Sequence, residues 1–169
     1  MMQPGQSLLD RTIARLTAQR AYLEAATARL AGREGPVLEI GLGKGRTYDH
    51  LRRLLPGRDI LCFDRTLHAL PQATPDPAHL VLGEFFQTLA EARDRLEGRA
   101  VLAHADFGTQ DPEADAAQAR WLGPMIDRLM APGGLIVADR WLDVPRWTGL
   151  AGPPAPWPYH LWQVAEGPG

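Results

Sequence analysis

The chain has 169 residues and a formal net charge of −2 at pH 7, which suits one domain with a proper core and excludes the broad positive field that would hold nucleic acid. Its one cysteine, Cys62, cannot form an internal disulfide, so the chain fits a reducing, cytoplasmic setting. No apolar run is long enough to span a membrane and the first residues lack a signal-peptide pattern, so we expect a single domain over residues 1–169 without a nucleic-acid or membrane partner.

The N-terminal segment has apolar residues near the helical period from about Ser7 to Leu30, with arginines between them. This pattern predicts one long amphipathic helix, or two helices with a bend, ending at Gly32. We expect residues 1–32 to cover the sheet, and a face for a second copy of the chain is the alternative role.

The next segment joins a short apolar strand to closely spaced glycines. Val37 to Ile40 forms the strand, and the glycines that follow it are Gly41, Gly43 and Gly45. Glycine lets the backbone adopt positive φ and approach a ligand closely, and the first amides of the following helix can bind an anionic group. A dinucleotide fingerprint has a glycine where this chain has Arg46, so the spacing disfavours pyrophosphate binding.

Strand-like and helix-like segments then alternate along the chain. We expect strands at 37–41, 59–64, 79–83, 100–105, 134–139 and 160–165, and helices at 46–55, 84–97 and 112–130. Gly98 and Gly133 are predicted helix stops, and Gly123 followed by Pro124 predicts a kink or break in the last helix. The alternation predicts an α/β fold with a doubly wound, mostly parallel, Rossmann-like sheet of about six strands and helices on both faces.

The pattern Glu39-x-Gly41-x-Gly43-x-Gly45 resembles motif I of the class I S-adenosylmethionine-dependent methyltransferases. Three later segments resemble landmarks of that family in the expected order: the strand at 60–64, which ends in an acid, the strand at 79–85, and the turn and strand at 131–139. The resemblance covers about residues 35–140, which it identifies as the cofactor-binding core.

The resemblance implies that S-adenosylmethionine lies across the strand ends. Its methionine part would lie at residues 39–47, its ribose at Asp64 and its adenine near residues 83–85. The residues assigned to cofactor binding are Glu39, Gly41, Leu42, Gly43, Gly45, Thr47, Asp64, Arg65, Gly83, Glu84 and Phe85. Capping of the turn is the alternative for Glu39, and packing in the core is the alternative for Phe85.

Two acids, Asp106 and Asp139, follow neighbouring strands, and their carboxylates should open on one edge of the sheet, as a hard divalent cation needs. Residues 101–140 are also similar to part of the catechol O-methyltransferase-type enzymes, which use Mg²⁺. Arg140 and Thr109 stand where those enzymes have an asparagine ligand and a lysine base. No metal ligand is therefore assigned, although Mg²⁺ stays open, and Asp106 is the candidate catalytic base.

Two further polar side chains lie close to these acids in the sequence. Arg140 could pair with an acidic group of the substrate, or with Asp106 or Asp139. His104 lies in the middle of a strand, which is typical of a core histidine with satisfied hydrogen bonds.

The C-terminal segment, residues 141–169, is rich in tryptophan and proline. It could line an acceptor pocket, or pack in an interface or at the sheet edge. Because little chain lies outside the core, we expect a homo-oligomer, formed through the N-terminal helix or this segment, to complete the pocket.

The sequence thus predicts an S-adenosylmethionine-dependent methyltransferase that acts on a small-molecule acceptor. Two alternatives stay open. One is a catalytically silent S-adenosylmethionine-binding or assembly protein, and the other is an NAD-dependent oxidoreductase.

Overall fold

The computed structural model of the protein describes residues 5–30, 32–109 and 111–167. Within these ranges, the helices are α1 (Leu8–Ala28), α2 (Arg46–Leu54), α3 (Phe85–Leu96) and α4 (Pro112–Asp127). The strands are β1 (Val37–Ile40), β2 (Ile60–Asp64), β3 (Leu80–Leu82), β4 (Ala100–Ala105), β5 (Met130–Ala138), β6 (Trp147–Gly149) and β7 (His160–Val164). Two short 3₁₀ helices, Pro71–Ala73 and Pro77–His79, precede β3.

All the strands form one sheet in the order β3-β2-β1-β4-β5-β7-β6. The first five strands of this order are parallel, and β7 pairs antiparallel with both β5 and β6. From β1 the chain adds β2 and β3 on one side of the sheet, and it then crosses back to place β4 on the other side of β1. The connections therefore diverge between β1 and β4, and this topological switch is where α/β sheets commonly bind ligands.

Two apolar cores lie on opposite faces of the sheet. One contains residues of α3 and α4, and the other contains residues of α1 and α2. Along β1, Leu38 and Ile40 face the α3–α4 core and Val37 faces the α1–α2 core, because side chains alternate across a strand. The architecture confirms the predicted doubly wound, mostly parallel sheet with helices on both faces.

The predicted count of about six strands is wrong, because β6 adds a seventh. This strand has only three residues, too few for a recognisable alternation of polar and apolar side chains. Its position depends on tertiary contacts: β6 pairs with β7, and the Trp147 indole donates a hydrogen bond to Asp127 at the end of α4 (2.7 Å).

The predictions around α4 and β5 also need correction. α4 runs through Gly123 and Pro124, so the predicted break is wrong, whereas the alternative of a kink stays a prediction. Its neighbouring side chains Leu122 and Ile126 are fully buried, so packing outweighs the local helix-breaking preference. Gly133 does not stop this helix. It lies inside β5 with φ +73°, where the pairing with β4 shifts register, so β5 begins at Met130 through a bulge.

α1 is one continuous helix that begins at a capping box. The Ser7 hydroxyl accepts the Asp10 amide (3.0 Å), and the Asp10 carboxylate accepts the Ser7 amide (2.9 Å). Its buried residues, Ala14, Ala18, Gln19, Leu23 and Ala26, lie along one side. Within the described residues, no helix combines the length and apolar character needed to cross a bilayer.

Candidate functional site

The loop between β1 and α2 contains three glycines with positive φ, at +93°, +52° and +82°. A Cβ atom on Gly41 would come within 2.8 Å of Phe107, and one on Gly45 would overlap the carbonyl group of Ala73. A Cβ atom on Gly43 would meet nothing within 4 Å. Gly41 and Gly45 therefore permit tight packing, whereas Gly43 presents bare backbone to open space where a ligand could approach.

Asp64, the last residue of β2, lies directly beside this loop. Its carboxylate accepts the backbone amides of Gly43 (2.8 Å) and Arg65 (2.7 Å). Each carboxylate oxygen keeps lone pairs that can accept further hydrogen bonds. Asp64 thus fixes the loop and can still receive the hydroxyls of a ligand.

Two pockets run along the loop and meet at Gly41, Gly43 and Asp106. The larger one, of about 350 Å³, lies towards β2 and β3 and includes Asp64, Arg65, His68, Phe85, Phe107 and Gln118 in its walls. The smaller one, of about 100 Å³, lies beneath α1 and includes Arg15, Leu16, Gln19, Leu42, Lys44, Arg46 and Thr47. We call the combined space the strand-end cleft.

The cleft brings together most of the residues that the sequence assigned to a ligand. Those in its walls are Gly41, Leu42, Gly43, Thr47, Asp64, Arg65, Phe85 and Asp106. Glu39, Gly45, Gly83 and Glu84 are outside these walls. Phe85 packs in the α3–α4 core, 4.3 Å from the ring of Phe107, as one of its two predicted roles required, and its contact with an adenine stays a prediction.

The residues outside the walls have identifiable contacts. Glu84 is exposed and pairs with Arg65 at 3.2 Å. Gly83 has φ +147°, and a Cβ atom there would lie 2.9 Å from the Thr88 methyl group. Glu39 is fully buried below the glycine loop.

A chain of buried hydrogen bonds connects Glu39 to the cleft. Glu39 and His104 are register partners on β1 and β4, and Oε1 of Glu39 lies 2.7 Å from Nδ1 of His104. Nε2 of His104 lies 2.7 Å from the Tyr159 hydroxyl, which donates to Oδ2 of Asp106 (2.6 Å). The chain Glu39–His104–Tyr159–Asp106 therefore joins β1, β4 and the segment before β7. We call it the buried polar chain.

The protonation state of His104 follows from this order of contacts. Tyr159 has one hydroxyl proton, which goes to Asp106, so its oxygen must accept the Nε2 proton of His104. The other ring nitrogen faces the carboxylate of Glu39, which accepts as well. Burial opposes a charge on the ring, but Glu39 raises the pKa of His104. These contacts favour the doubly protonated form of the imidazole.

Asp106 also holds α1 in place. Its Oδ1 accepts Nη2 of Arg15 (2.5 Å), and its Oδ2 accepts the side-chain amide of Gln19. Burial opposes its charge, but His104 and Arg15 together with these hydrogen bonds lower the pKa of Asp106. A carboxylate with this many donors is a weak proton acceptor, which argues against the catalytic-base role predicted for it.

Asp139 and Arg140 form a second charged pair near the cleft. Nε of Arg140 lies 3.1 Å from Asp139, its Nη1 donates to Gln118 (2.8 Å), and its guanidinium is 5.3 Å from the centre of the Phe107 ring. Burial, with a contribution from the Asp106 charge, raises the pKa of Asp139. Arg140 thus makes the internal salt bridge that was one of its two predicted roles. The described residues contain no cluster of three or more His, Cys, Asp or Glu side chains suited to a metal ion.

Four contributors to the site were missed in the sequence: Arg15, Gln19, Phe107 and Tyr159. Arg15 and Gln19 are four residues apart and so lie on one face of α1, which is a signal that could have paired them. Tyr159 and Phe107 carried no local signal, because their partners come from distant parts of the chain. His104, in contrast, has its hydrogen bonds satisfied in the core, as its strand position suggested.

Comparison with known proteins agrees with this geometry. Residues 6–157 match the model of a family described as S-adenosyl-L-methionine methyltransferase. No curated protein sequence matches the chain.

Several solved structures resemble the protein. An S-adenosyl-L-methionine methyl transferase from Silicibacter pomeroyi is 39% identical, with a TM-score of 0.88, over 95% of this chain and 99% of that one. A proposed caffeoyl-CoA O-methyltransferase from Staphylococcus aureus is 11% identical, with a TM-score of 0.62, over 95% and 93% of the two chains. A sugar N-methyltransferase from Streptoalloteichus is 19% identical, with a TM-score of 0.51, over 90% and 63%. The last two share the fold alone.

The buried polar chain predicts a large effect of one hydroxyl group. Tyr159→Phe removes a donor to Asp106 and an acceptor for His104, and we expect the free energy of unfolding to fall by about 2–3 kcal/mol, since Nε2 of His104 is left buried without an acceptor and Asp106 keeps only the donors Arg15 and Gln19. Urea unfolding measures this change. Tyr22→Phe is the matched control, because the Tyr22 ring packs on Tyr159 but its hydroxyl has no hydrogen bond within the described residues. Equal losses in the two variants would contradict the assignment.

The glycine loop predicts different effects for two similar substitutions. Gly45→Ala places a methyl group against the Ala73 backbone, in addition to left-handed strain of about 1–2 kcal/mol, whereas Gly43→Ala incurs the strain alone. Thermal and urea unfolding should show the greater loss of stability for Gly45→Ala. A Gly43→Ala variant that is equally destabilised would show that Gly43 does not face open space.

Proposed function

The chain belongs to the S-adenosyl-L-methionine methyltransferase family, and we propose that it binds this cofactor along the strand-end cleft and delivers the methyl group to a small-molecule acceptor. Membership makes the chain an enzyme that uses S-adenosylmethionine. One observation supports this position of the cofactor. The space above Gly43 is open, and it lies next to the Asp64 carboxylate and between two connected pockets. The rival NAD-dependent oxidoreductase has no support from the family match.

The larger pocket suits the nucleoside half of the cofactor. Asp64 lies at its edge with free lone pairs for the two ribose hydroxyls. Phe85 and Phe107 provide apolar ring surface on the side where an adenine would lie. Arg65 lines the same pocket but is held by Glu84, so we propose a secondary role for this exposed pair at the pocket rim.

The smaller pocket suits the methionine half. It lies at the start of α2, where unpaired backbone amides attract a carboxylate, and Lys44 and Thr47 add a cation and a hydroxyl. Below the loop, Oε2 of Glu39 is buried and has no hydrogen-bond partner among the described residues. A buried carboxylate oxygen of this kind supports the role of Glu39 in orienting the positively charged end of the methionine part.

The bound cofactor supplies a methyl group that is already activated by the sulfonium. The residues of the chain have to hold the acceptor in line with this group and exclude water. Asp106 lies in the wall that both pockets share, with its charge kept by Arg15, Gln19 and Tyr159. We propose that Asp106 orients the reacting groups as a permanent carboxylate and that it does not take the proton of the acceptor.

Two wider features of the protein also belong to this proposal. Cys62 is fully buried, and burial raises the pKa of its thiol, so it suits a reducing cytoplasm without reactivity of its own.

At the start of α1, Leu8 and Leu9 are 78% and 67% exposed, and Trp141 in the C-terminal segment is 60% exposed. Exposed apolar groups of this size support a homo-oligomer.

Binding of S-adenosylhomocysteine tests the ribose assignment. Asp64→Ala should weaken its affinity about 10–100-fold, because two hydrogen bonds to a charged acceptor are lost. Isothermal calorimetry measures this affinity, and thermal unfolding checks that the variant is folded. Asp59→Ala is the control, since Asp59 directly precedes the same strand, far from Asp64 at its other end, and is exposed. Unchanged affinity in Asp64→Ala would refute the proposed pose.

The oligomer has a test that also locates its interface. Light scattering of the wild type should give a mass above that of one chain, and Leu9→Glu should convert it to the monomer if α1 forms the contact. Trp141→Glu should have this effect if the C-terminal segment forms it. A monomeric wild type at micromolar concentration would exclude both interfaces.

A further inference from the structure

A separate pocket of about 320 Å³ lies between α1 and α2, beside the strand-end cleft. Part of its lining is apolar, formed by Ile13, Leu16 and Leu23, and part is polar, formed by Arg20 on the same helix and by Arg46 and His50 on α2. We call it the interhelix pocket. Its size is at the lower end of small-molecule sites, which commonly measure about 300–1,000 Å³.

Two of the three apolar lining residues are not part of the core. α1 buries Ala14, Ala18, Leu23 and Ala26, whereas Ile13 is turned away from that face and is 54% exposed. Leu16 follows Ile13 by three residues, so the two lie on the same side of the helix, towards α2. This stripe of α1 is apolar surface that the fold leaves available.

The polar part of the lining contains two arginines whose charges are not balanced by any carboxylate that the structure describes. Neither Arg20 nor Arg46 makes a salt bridge within the described part of the chain. His50 is paired with Glu24, at 3.3 Å between Nε2 and Oε1. The guanidinium groups of Arg20 and Arg46 thus have no carboxylate partner among the described residues, and a guanidinium fork is well matched to a carboxylate or phosphate group.

The two spaces adjoin but are lined differently. Leu16, Gln19, Arg46 and Thr47 line both the interhelix pocket and the smaller half of the cleft. Arg20, Thr17 and His50 line the interhelix pocket and neither half of the cleft. The carboxylate of a methionine moiety in the cleft already has Lys44 and the α2 amides, so it leaves Arg20 available.

We propose that the interhelix pocket binds a second small molecule, an organic anion that carries a carboxylate or phosphate group on a short apolar body. The anionic group pairs with Arg20 and Arg46, and the apolar body packs on Ile13, Leu16 and Leu23. This site goes beyond the methyltransferase assignment and does not depend on it.

Four probes with the same six-carbon chain test the pocket by calorimetry: hexanoate, hexyl phosphate, hexanol and hexylammonium. At least one of the anions should bind the wild type, and hexanol and hexylammonium should bind far more weakly. Arg20→Gln should weaken the bound anion about tenfold, because a charge-assisted hydrogen bond is lost. Thr17→Trp should abolish its binding by filling the pocket without removing a charge. Arg53→Gln is the matched control, since Arg53 is an exposed arginine of α2 outside the pocket.

Affinity for S-adenosylhomocysteine, measured on the same variants, separates this proposal from the cofactor pose. It should stay within about twofold of the wild type in Arg20→Gln and Thr17→Trp, since neither residue lines the cleft. Anions that bind no better than hexanol, or that bind equally well to Arg20→Gln and Thr17→Trp, would overturn the proposal. A loss of S-adenosylhomocysteine affinity in Arg20→Gln with no loss of anion affinity would also overturn it, because Arg20 would then serve the cofactor.

Discussion

The buried polar chain is the constraint on which the arrangement of the site depends. Glu39, His104 and Asp106 are ionisable side chains away from water, and burying such groups is costly unless they are paired and hydrogen-bonded. The two ring nitrogens of His104 therefore need Glu39 and Tyr159, and Asp106 needs the donors around it. Tyr159 joins the two ends, since it is the group that can accept from His104 and donate to Asp106 at once.

This chain has a direct effect on the cleft. Asp106 lies in the wall that both halves of the cleft share, and the same carboxylate holds Arg15 and Gln19 of α1. The helix that covers the smaller half of the cleft is thus tied to the strand end that both halves share. The position of α1 and the charge state of the site are fixed by one set of contacts, so neither can change without the other.

Local patterns in the sequence were enough for the framework. The apolar run of β1, the glycines after it and the acid at the end of β2 lie close together in the chain, and they meet in the structure as predicted. The unpredicted parts depend on long-range contacts: Arg15 and Asp106 are 91 residues apart, and Tyr159 is 53 residues beyond Asp106. β6 and the unbroken α4 were missed for a related reason, because packing against the rest of the sheet decides both. The glycine loop could be predicted from neighbouring residues in the sequence. The charge state of Asp106 could not, because its partners are distant in the sequence.

The separation in sequence between Tyr159 and its partners has a consequence for the way the protein folds. During synthesis, α1, β1 and β4 leave the ribosome long before residue 159 does. Glu39, His104 and Asp106 are therefore present before the Tyr159 hydroxyl that joins them. Contacts between residues so far apart in sequence form late in folding. The nascent chain therefore cannot complete the buried polar chain before residue 159 has been synthesised, and until then His104 and Asp106 lack the hydroxyl group that joins them.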